Sequence, residues 1–230
     1  MIKIENVEVY GWESAIRGMR NPMNSWEKSD TVYGTYWGDI DGHKCFDNDG
    51  FTLGHNDFEL MKKLVGAGTD HSKFMRMINV TLDITAPLYW WKEFDTYKVG
   101  TVRNSCSTMH KITKKEFTLD DFSHEHLTLS HTEDFPLGKC DSIDILKETI
   151  KYLNVYRERY NNADDTDWKK RYWWQLIQLL PSSYNQRATV QLNYAVLRNM
   201  YHSRKNHKLD EWIEFCRWVE TLPYSELITM

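Results

Sequence analysis

Residues 77–85, MINVTLDIT, alternate apolar and polar side chains along a short stretch. The apolar set is Ile78, Val80, Leu82 and Ile84. A period of two residues predicts a strand that buries one face and exposes the other. Pro87 follows almost at once, and because proline suits the start of a helix, residues 88–97 are predicted to form a buried, aromatic helix.

Helical patterns dominate the rest of the chain. The strongest runs from Asp141 to Tyr160, where apolar residues recur every three or four positions. Helices are also predicted over WESAIRGMRN, over residues 56–68 with Asn56 as cap, and over residues 168–180, 194–202 and 208–222. Residues 2–9 predict a strand with an irregularity near Asn6, and RATVQLNY predicts a strand or an extended lead into a helix. The predicted fold class is α+β, with a small mixed or antiparallel sheet covered by long helices.

A length of 230 residues favours one domain over residues 1–230, although two small domains are possible, and the 41% of hydrophobic residues is enough for a sizeable core. Residues 24–56 contain Gly and Asp-Gly turn signals, which predict a hairpin or a long surface loop inserted into that domain. This segment carries four aromatic residues that either present a surface to a partner or pack on the core of the protein. They are Tyr33, Tyr36, Trp37 and Phe46.

The net charge of −4 disfavours a protein that covers nucleic acid non-specifically, although a local basic patch is compatible with it. No apolar run is long enough to span a membrane, and the opening residues do not resemble a secretory leader. The four cysteines lie far apart, which indicates reduced thiols and a cytoplasmic location. The His124-Glu125-His126 triplet has no evident carboxylate partner that would complete a set of metal ligands, so no metal site is predicted.

A cationic, hydroxyl-rich segment follows the predicted aromatic helix, from Lys98 to Ser107. Phosphate groups are bound by cations, hydroxyl groups and free backbone N–H groups, and this segment offers all three. A solvated loop is the alternative. A Cys106–His110 nucleophile pair is a further alternative, although both residues lie in one loop without a third group to orient them.

A second polar cluster lies near the end of the chain, within LLPSSYNQRATVQLNYAVLRNMYHSRKNHKLDEW. Asn193 and His202 bracket a predicted helix, and Arg204 and His207 follow at its end. Basic residues at a helix C-terminus also serve as partners of the helix dipole, so this cluster by itself leaves two interpretations open.

Three segments, in this order, resemble the flavin-dependent thymidylate synthases. In the first, GTDHSKFMRMINVTLDITAP, the matches are His71, Ser72, Phe74 and Ala86-Pro87, while Lys73, Met75 and Arg76 replace Pro, Glu and His. In the second, the Arg-His-Arg of the family signature becomes Thr96-Tyr97-Lys98 and the first signature Ser becomes Thr101. Cys106 or Ser107 occupies the place of the later Ser, and the closing Arg is absent.

The third segment covers the late polar cluster. Its matches are Leu180-Pro181, Tyr184, Leu197, Arg204, His207 and Glu211, with Asn193 after a slip of one residue. The resemblance implies a homotetramer that binds FAD between subunits and places dUMP against the flavin. It also implies transfer of a methylene group from methylenetetrahydrofolate to uracil C5, with NADPH reducing the flavin.

Roles are carried over by the same resemblance. Substrate-binding residues would be Lys98, Thr101, Arg103, Ser105, Ser107 and Arg204. Cofactor-binding residues would be His71, Tyr97, Lys98, Asn193 and His207. Lys98 keeps a cation without a bidentate fork, and the loss of two strong cations weakens anion binding by about two to four decades. We expect the Lys98–Ser107 bend and the late Arg204–His207 turn to meet across neighbouring protomers.

Two further interpretations remain open at the level of sequence. One is an inactive scaffold of the same fold, acting as a nucleotide-binding protein or as a partner of protein or nucleic acid in a phage or mobile element. The other is an unrelated α+β domain whose matches arise by chance.

Overall fold

The computed structural model describes residues 2–40, 43–128 and 141–230, with side chains described outside residues 35–50. The strands in this part of the chain are β1 (Lys3–Tyr10), β2 (Val32–Ile40), β3 (His43–Thr52), β4 (Asn79–Pro87), β5 (Val102–Ser105) and β6 (Asn185–Asn193). The α-helices are α1 (Trp12–Arg20), α2 (His55–Gly66), α3 (Leu88–Phe94), α4 (Thr108–Lys111), α5 (Ser142–Asn162), α6 (Thr166–Leu179), α7 (Tyr194–Arg204), α8 (Asp210–Glu220) and α9 (Glu226–Thr229). The predicted α+β class is confirmed. Within the described residues, no helix is both long and apolar enough to cross a membrane.

A four-stranded sheet has the strand order β1-β4-β6-β5. The predicted alternation along β4 is confirmed, since Ile78, Val80, Leu82 and Ile84 are all 0% exposed. In β6 the buried positions alternate with exposed ones in the same way, which confirms the strand interpretation of RATVQLNY. The irregularity predicted near Asn6 is present as well, because this residue adopts a left-handed backbone with φ of 52°.

The second sheet is a two-stranded hairpin, in which β2 pairs antiparallel with β3. Val32 lies opposite Thr52, and the register shifts twice along the ladder. The predicted hairpin is therefore confirmed, while its Asp41-Gly42 turn lies outside the described residues. Two predictions are not tested by this pairing: that residues 24–56 are an insertion, and that residues 1–230 form one domain. Both stay predictions.

The chain divides into two compact units. Unit 1 contains residues 1–6, 82–96 and 103–190, and unit 2 contains residues 7–81, 97–102 and 191–230. In unit 1, α5 and α6 bury an apolar cluster around Leu153 and Leu176. In unit 2, the Trp12 ring lies 5.2 Å from Phe51 and 5.4 Å from Tyr194, measured between ring centroids. Phe51, in β3, thus packs on the core of unit 2.

A buried ion pair joins α1 to α2 in unit 2. Arg20 Nη2 lies 2.7 Å from Asp57 Oδ1, and the two side chains are 5% and 0% exposed. The Ser29 and Thr31 hydroxyl groups donate to Asp57 Oδ2, each at 2.6 Å. Burial raises the pKa of Asp57, but the hydrogen bonds from Ser29, Thr31 and Arg20 outweigh it and hold this pKa below its ordinary value.

The prediction that Asn56 caps α2 is wrong. The helix begins at His55, and its N-cap position is Gly54. The Asp30 carboxylate accepts the backbone N–H groups of Asn56 and Asp57 at 2.9 and 3.0 Å. A carboxylate from a distant loop therefore performs the capping that the sequence assigned to a local side chain.

The aromatic helix after Pro87 is shorter than predicted, since α3 ends at Phe94 and not near Tyr97. The Thr96 hydroxyl donates to the Glu93 carbonyl at 2.7 Å, which stabilises a turn in place of a further helical turn. The buried character of the helix is confirmed, because Trp90 is 0% exposed and Trp91 is 2% exposed.

Candidate functional site

Three predicted site residues from distant parts of the chain contact one another in unit 2. Arg204 Nε donates a hydrogen bond to the Tyr97 hydroxyl at 2.9 Å. Arg204 Nη1 lies 2.9 Å from His207 Nε2. Tyr97 follows α3, whereas Arg204 is the last residue of α7. The structure thus brings Tyr97, the residue before the bend, into contact with the late turn within one chain, and the predicted meeting of the bend and this turn across protomers stays a prediction.

Aromatic rings hold the Arg204 guanidinium in place. Its central carbon lies 4.9 Å from the Trp212 ring centroid and 5.6 Å from that of Tyr97. Trp212, in the first turn of α8, is 0% exposed. Cation–π contacts of this kind favour one orientation of the planar guanidinium. The residue pattern did not assign Trp212 to the site, although it lies only five residues after His207.

Gly100 shapes the bend that carries Lys98 and Thr101. Its φ of 81° is left-handed, and a Cβ added there would lie 3.0 Å from Asn193 Nδ2. The Thr101 hydroxyl donates to the Tyr97 carbonyl across the turn. The turn predicted at Gly100 is therefore confirmed, and it leaves Lys98 exposed and Thr101 half-buried.

Gly100→Ala is expected to lower the free energy of unfolding by about 1–2 kcal/mol, because an L-residue is strained in the left-handed region. The added methyl group would also press on Asn193 and Val196. A urea titration followed by circular dichroism measures this change. The matched control is Gly66→Ala, where an added Cβ meets no atom within 4 Å and φ is not positive. Equal unfolding midpoints for the two variants would contradict the role of the bend.

The other predicted cofactor residues occupy two different settings in unit 2. Asn193 is 8% exposed and caps α7, since its side-chain oxygen accepts the Val196 N–H at 3.1 Å. His71 is exposed in the turn after α2. Next to it, Ser72 and Arg76 line a hollow of about 180 Å³ together with Arg198 of α7.

The remaining predicted substrate residues lie in unit 1. Arg103 Nη2 lies 3.2 Å from Asp95 Oδ2, and its guanidinium lies 4.6 Å from the Trp91 ring centroid. Arg103 Nη1 is buried without a hydrogen-bond partner among the described residues. Ser105 is half-buried in β5, and Ser107 caps α4 by accepting the His110 N–H at 3.1 Å. The Arg103 guanidinium is therefore held by Asp95 and Trp91, and one of its nitrogens has no partner among the described residues.

The described residues contain no group of three or more His, Cys, Asp and Glu side chains arranged to hold a metal ion. His124 Nδ1 lies 2.8 Å from the Phe122 carbonyl oxygen, a contact that orients its ring locally. Cys106 is exposed and Cys216 is buried, and both are free thiols. Burial raises the pKa of the Cys216 thiol to about 11.

Solved structures share the fold of this chain over almost its whole length. The flavin-dependent thymidylate synthase ThyX from Helicobacter pylori, complexed with FAD and dUMP, is 16% identical, with a TM-score of 0.64 over 98% of this chain and 97% of that one. The UMP/dUMP methylase PolB from Streptomyces cacaoi, bound with 5-Br dUMP, is 14% identical, with a TM-score of 0.58 over 100% of this chain and 95% of that one.

Comparisons with models of protein families and with curated proteins gave no match. The solved structures are nevertheless similar over almost their full length, which disfavours the interpretation as an α+β domain of another fold. The resemblance drawn from the sequence is confirmed at the level of architecture. This chain has the fold of the flavin-dependent thymidylate synthases.

Proposed function

We propose that this chain is a divergent flavin-dependent thymidylate synthase-like protein that binds FAD and a pyrimidine nucleotide of the dUMP class. The reaction would be one-carbon or reductive transfer at uracil C5, which makes an active form a methyltransferase. The observation that supports this proposal is the contact of Arg204 with Tyr97 and His207. The sequence resemblance assigns these three residues to the nucleotide and the flavin.

The residues of unit 2 fit the ring portions of such ligands. Arg204 carries a planar, positively charged guanidinium, and its fixed orientation suits a pyrimidine ring with carbonyl oxygens. Tyr97 and His207 hold that guanidinium and offer flat surfaces beside it. His71 and Asn193 are the remaining proposed flavin contacts. FAD, when bound, supplies the redox chemistry, while the residues of the chain bind and orient.

Phosphate recognition would come from the hydroxyl-rich segment. Arg103 has one guanidinium nitrogen without a partner among the described residues, and a guanidinium binds phosphate oxygens through charge-assisted hydrogen bonds. Lys98 supplies a second cation, and Thr101, Ser105 and Ser107 supply hydroxyl groups. NADPH and methylenetetrahydrofolate as co-substrates, a homotetramer and a cytoplasmic location belong to the same proposal.

An inactive scaffold of this fold, with a protein or nucleic-acid partner in a phage or mobile element, is the alternative. We do not favour it, because a surface that only meets a partner does not need an arginine held by two polar contacts and two rings.

Titration with FAD tests the proposed function directly. We expect saturable quenching of flavin fluorescence by the purified chain, and a change in the flavin visible spectrum when dUMP is added, because the two ligands would lie against each other. Riboflavin, which lacks the phosphates and the adenosine, serves as the control ligand and should bind more weakly. Native mass spectrometry reports the subunit count and the retained flavin in one measurement. Absence of FAD uptake, with or without dUMP, would refute the proposal.

A further inference from the structure

Unit 1 contains a hollow of about 650 Å³ beside the start of α6. It is lined by rings and by basic or hydroxyl side chains, among them His110, Tyr160, Thr166, Lys169, Lys170 and Trp173. Its volume lies within the range of about 300–1,000 Å³ that is usual for small-molecule sites. None of these residues belongs to the set assigned above to FAD or to the pyrimidine nucleotide.

Local sequence and one long-range contact build this hollow. Lys169, Lys170 and Trp173 share one side of α6, because residues three and four apart are neighbours on a helix. The Trp173 ring is fixed by its Nε1, which donates to the Met109 carbonyl at 3.1 Å. α6 begins at Thr166, two residues earlier than predicted.

Among the residues that the structure describes, none neutralises the positive charge of this hollow. None of the described residues that line it is acidic. Asp165, which precedes α6, directs its carboxylate to the backbone N–H groups of its own helix, each at 2.9 Å. Within the described chain, the Lys169 and Lys170 ammonium groups have no ion-pair partner. On α5, by contrast, Lys147 and Lys151 lie 3.6 and 3.4 Å from Asp144 and Glu148.

Unpaired ammonium groups beside a hydroxyl and two flat rings match one class of ligand. Ammonium and hydroxyl groups donate to phosphate oxygens, and aromatic rings stack on nucleobases. We propose that this hollow binds a nucleoside phosphate, with Lys169, Lys170 and Thr166 at the phosphate and with Tyr160 and Trp173 at the base. The source is a free nucleotide or a nucleotide within a single strand, because both carry the same groups.

The test is isothermal titration of the full chain with AMP and with UMP at low salt. It is carried out in an Arg204→Ala background, so that the proposed pyrimidine site contributes little. We expect Lys169→Ala/Lys170→Ala to weaken binding of both nucleotides by about tenfold or more, since each charge-assisted contact is worth a decade or more in affinity. Trp173→Leu should weaken the binding of both nucleotides and leave the binding of inorganic phosphate unchanged, because only the base would lose its contact with the ring.

The matched control is Lys147→Ala/Lys151→Ala, which removes the same charge from paired positions of α5 and should leave the affinity unchanged. A thymidine oligonucleotide separates the two sources, because tighter binding per site than UMP indicates a strand and equal binding indicates a free nucleotide. Equal weakening by both double variants, or no binding of either nucleotide, would overturn the proposal. A failure of FAD uptake does not affect this test, since its variants alter residues that the flavin proposal does not use.

Discussion

Asp57→Ala is expected to lower the free energy of unfolding by about 3–5 kcal/mol, because it leaves the guanidinium of Arg20 buried without its counter-ion. Arg20 is only 4% exposed, so water cannot replace the lost carboxylate. Its other hydrogen bonds go to two backbone carbonyls, those of Ser25 and Lys28, which carry no full charge. A loss of this size is a large part of the roughly 5–15 kcal/mol by which a folded domain is stable.

Urea unfolding followed by circular dichroism measures the effect, with Glu13→Ala as the matched control. Glu13 also pairs with an arginine on α1, but the side chains of Glu13 and Arg17 are 67% and 62% exposed. An exposed pair contributes at most about 1 kcal/mol, so the control should unfold at nearly the wild-type midpoint. Similar midpoints for the Asp57 and Glu13 variants would show that the buried pair does not stabilise unit 2.

The pH dependence of unfolding offers a second readout of the same carboxylate. Burial opposes ionisation, but the hydrogen bonds from Ser29, Thr31 and Arg20 hold the pKa of Asp57 below its ordinary value. A carboxylate with a lowered folded pKa stabilises the protein fully above its unfolded pKa of about 3.9. This stabilisation is lost as the pH falls through the folded pKa. In Asp57→Asn, the free energy of unfolding should therefore fall less steeply as the pH is lowered than it does in the wild type. The same steepness in both proteins would contradict the lowered pKa of Asp57.

Much of the architecture could be predicted because its causes are local. The alternation in β4 and the turn at Gly100 follow from the residues themselves, since a two-residue period and a left-handed glycine each leave a direct trace in sequence. The cap of α2 could not be predicted in this way, because the Asp30 carboxylate that caps the helix lies 26 residues away from Asn56. Nothing near Asn56 distinguishes an asparagine that caps from one that is bypassed.

The candidate site shows the same division. Residue types in the Lys98–Ser107 segment indicated an anion site, but they did not reveal that Arg103 pairs with Asp95 and stacks on Trp91. The contact between Tyr97 and Arg204 spans 107 positions, and only the family resemblance linked the two segments in advance. Trp173 and Met109 are 64 positions apart, and no resemblance pointed to them. Contacts between residues so far apart in the sequence depend on tertiary packing, which a single sequence does not display.

Arg204→Ala is expected to weaken dUMP binding by about tenfold to 150-fold, because one charge-assisted hydrogen bond to a ligand contributes roughly 1.5–3 kcal/mol. Equilibrium titration with dUMP in the presence of FAD measures the change. Arg204→Lys should lose nearly as much, because a lysine keeps the charge but cannot reach Tyr97 and His207 with a planar fork. The matched control is Arg217→Ala, an exposed arginine of α8, which should bind dUMP as the wild type does. Equal affinities for the Arg204 and Arg217 variants would remove Arg204 from the site.

Tyr97→Phe separates orientation from charge at the same position. The phenylalanine keeps the ring near Arg204 but removes the hydroxyl that accepts the Arg204 Nε hydrogen bond. If that bond aligns the guanidinium for the ligand, Tyr97→Phe weakens dUMP binding in the wild type and has little further effect once Arg204 is alanine. Such non-additivity is the signature of two residues that act as one unit. Additive losses in the double variant would instead assign Tyr97 its own contact with the ligand, independent of Arg204.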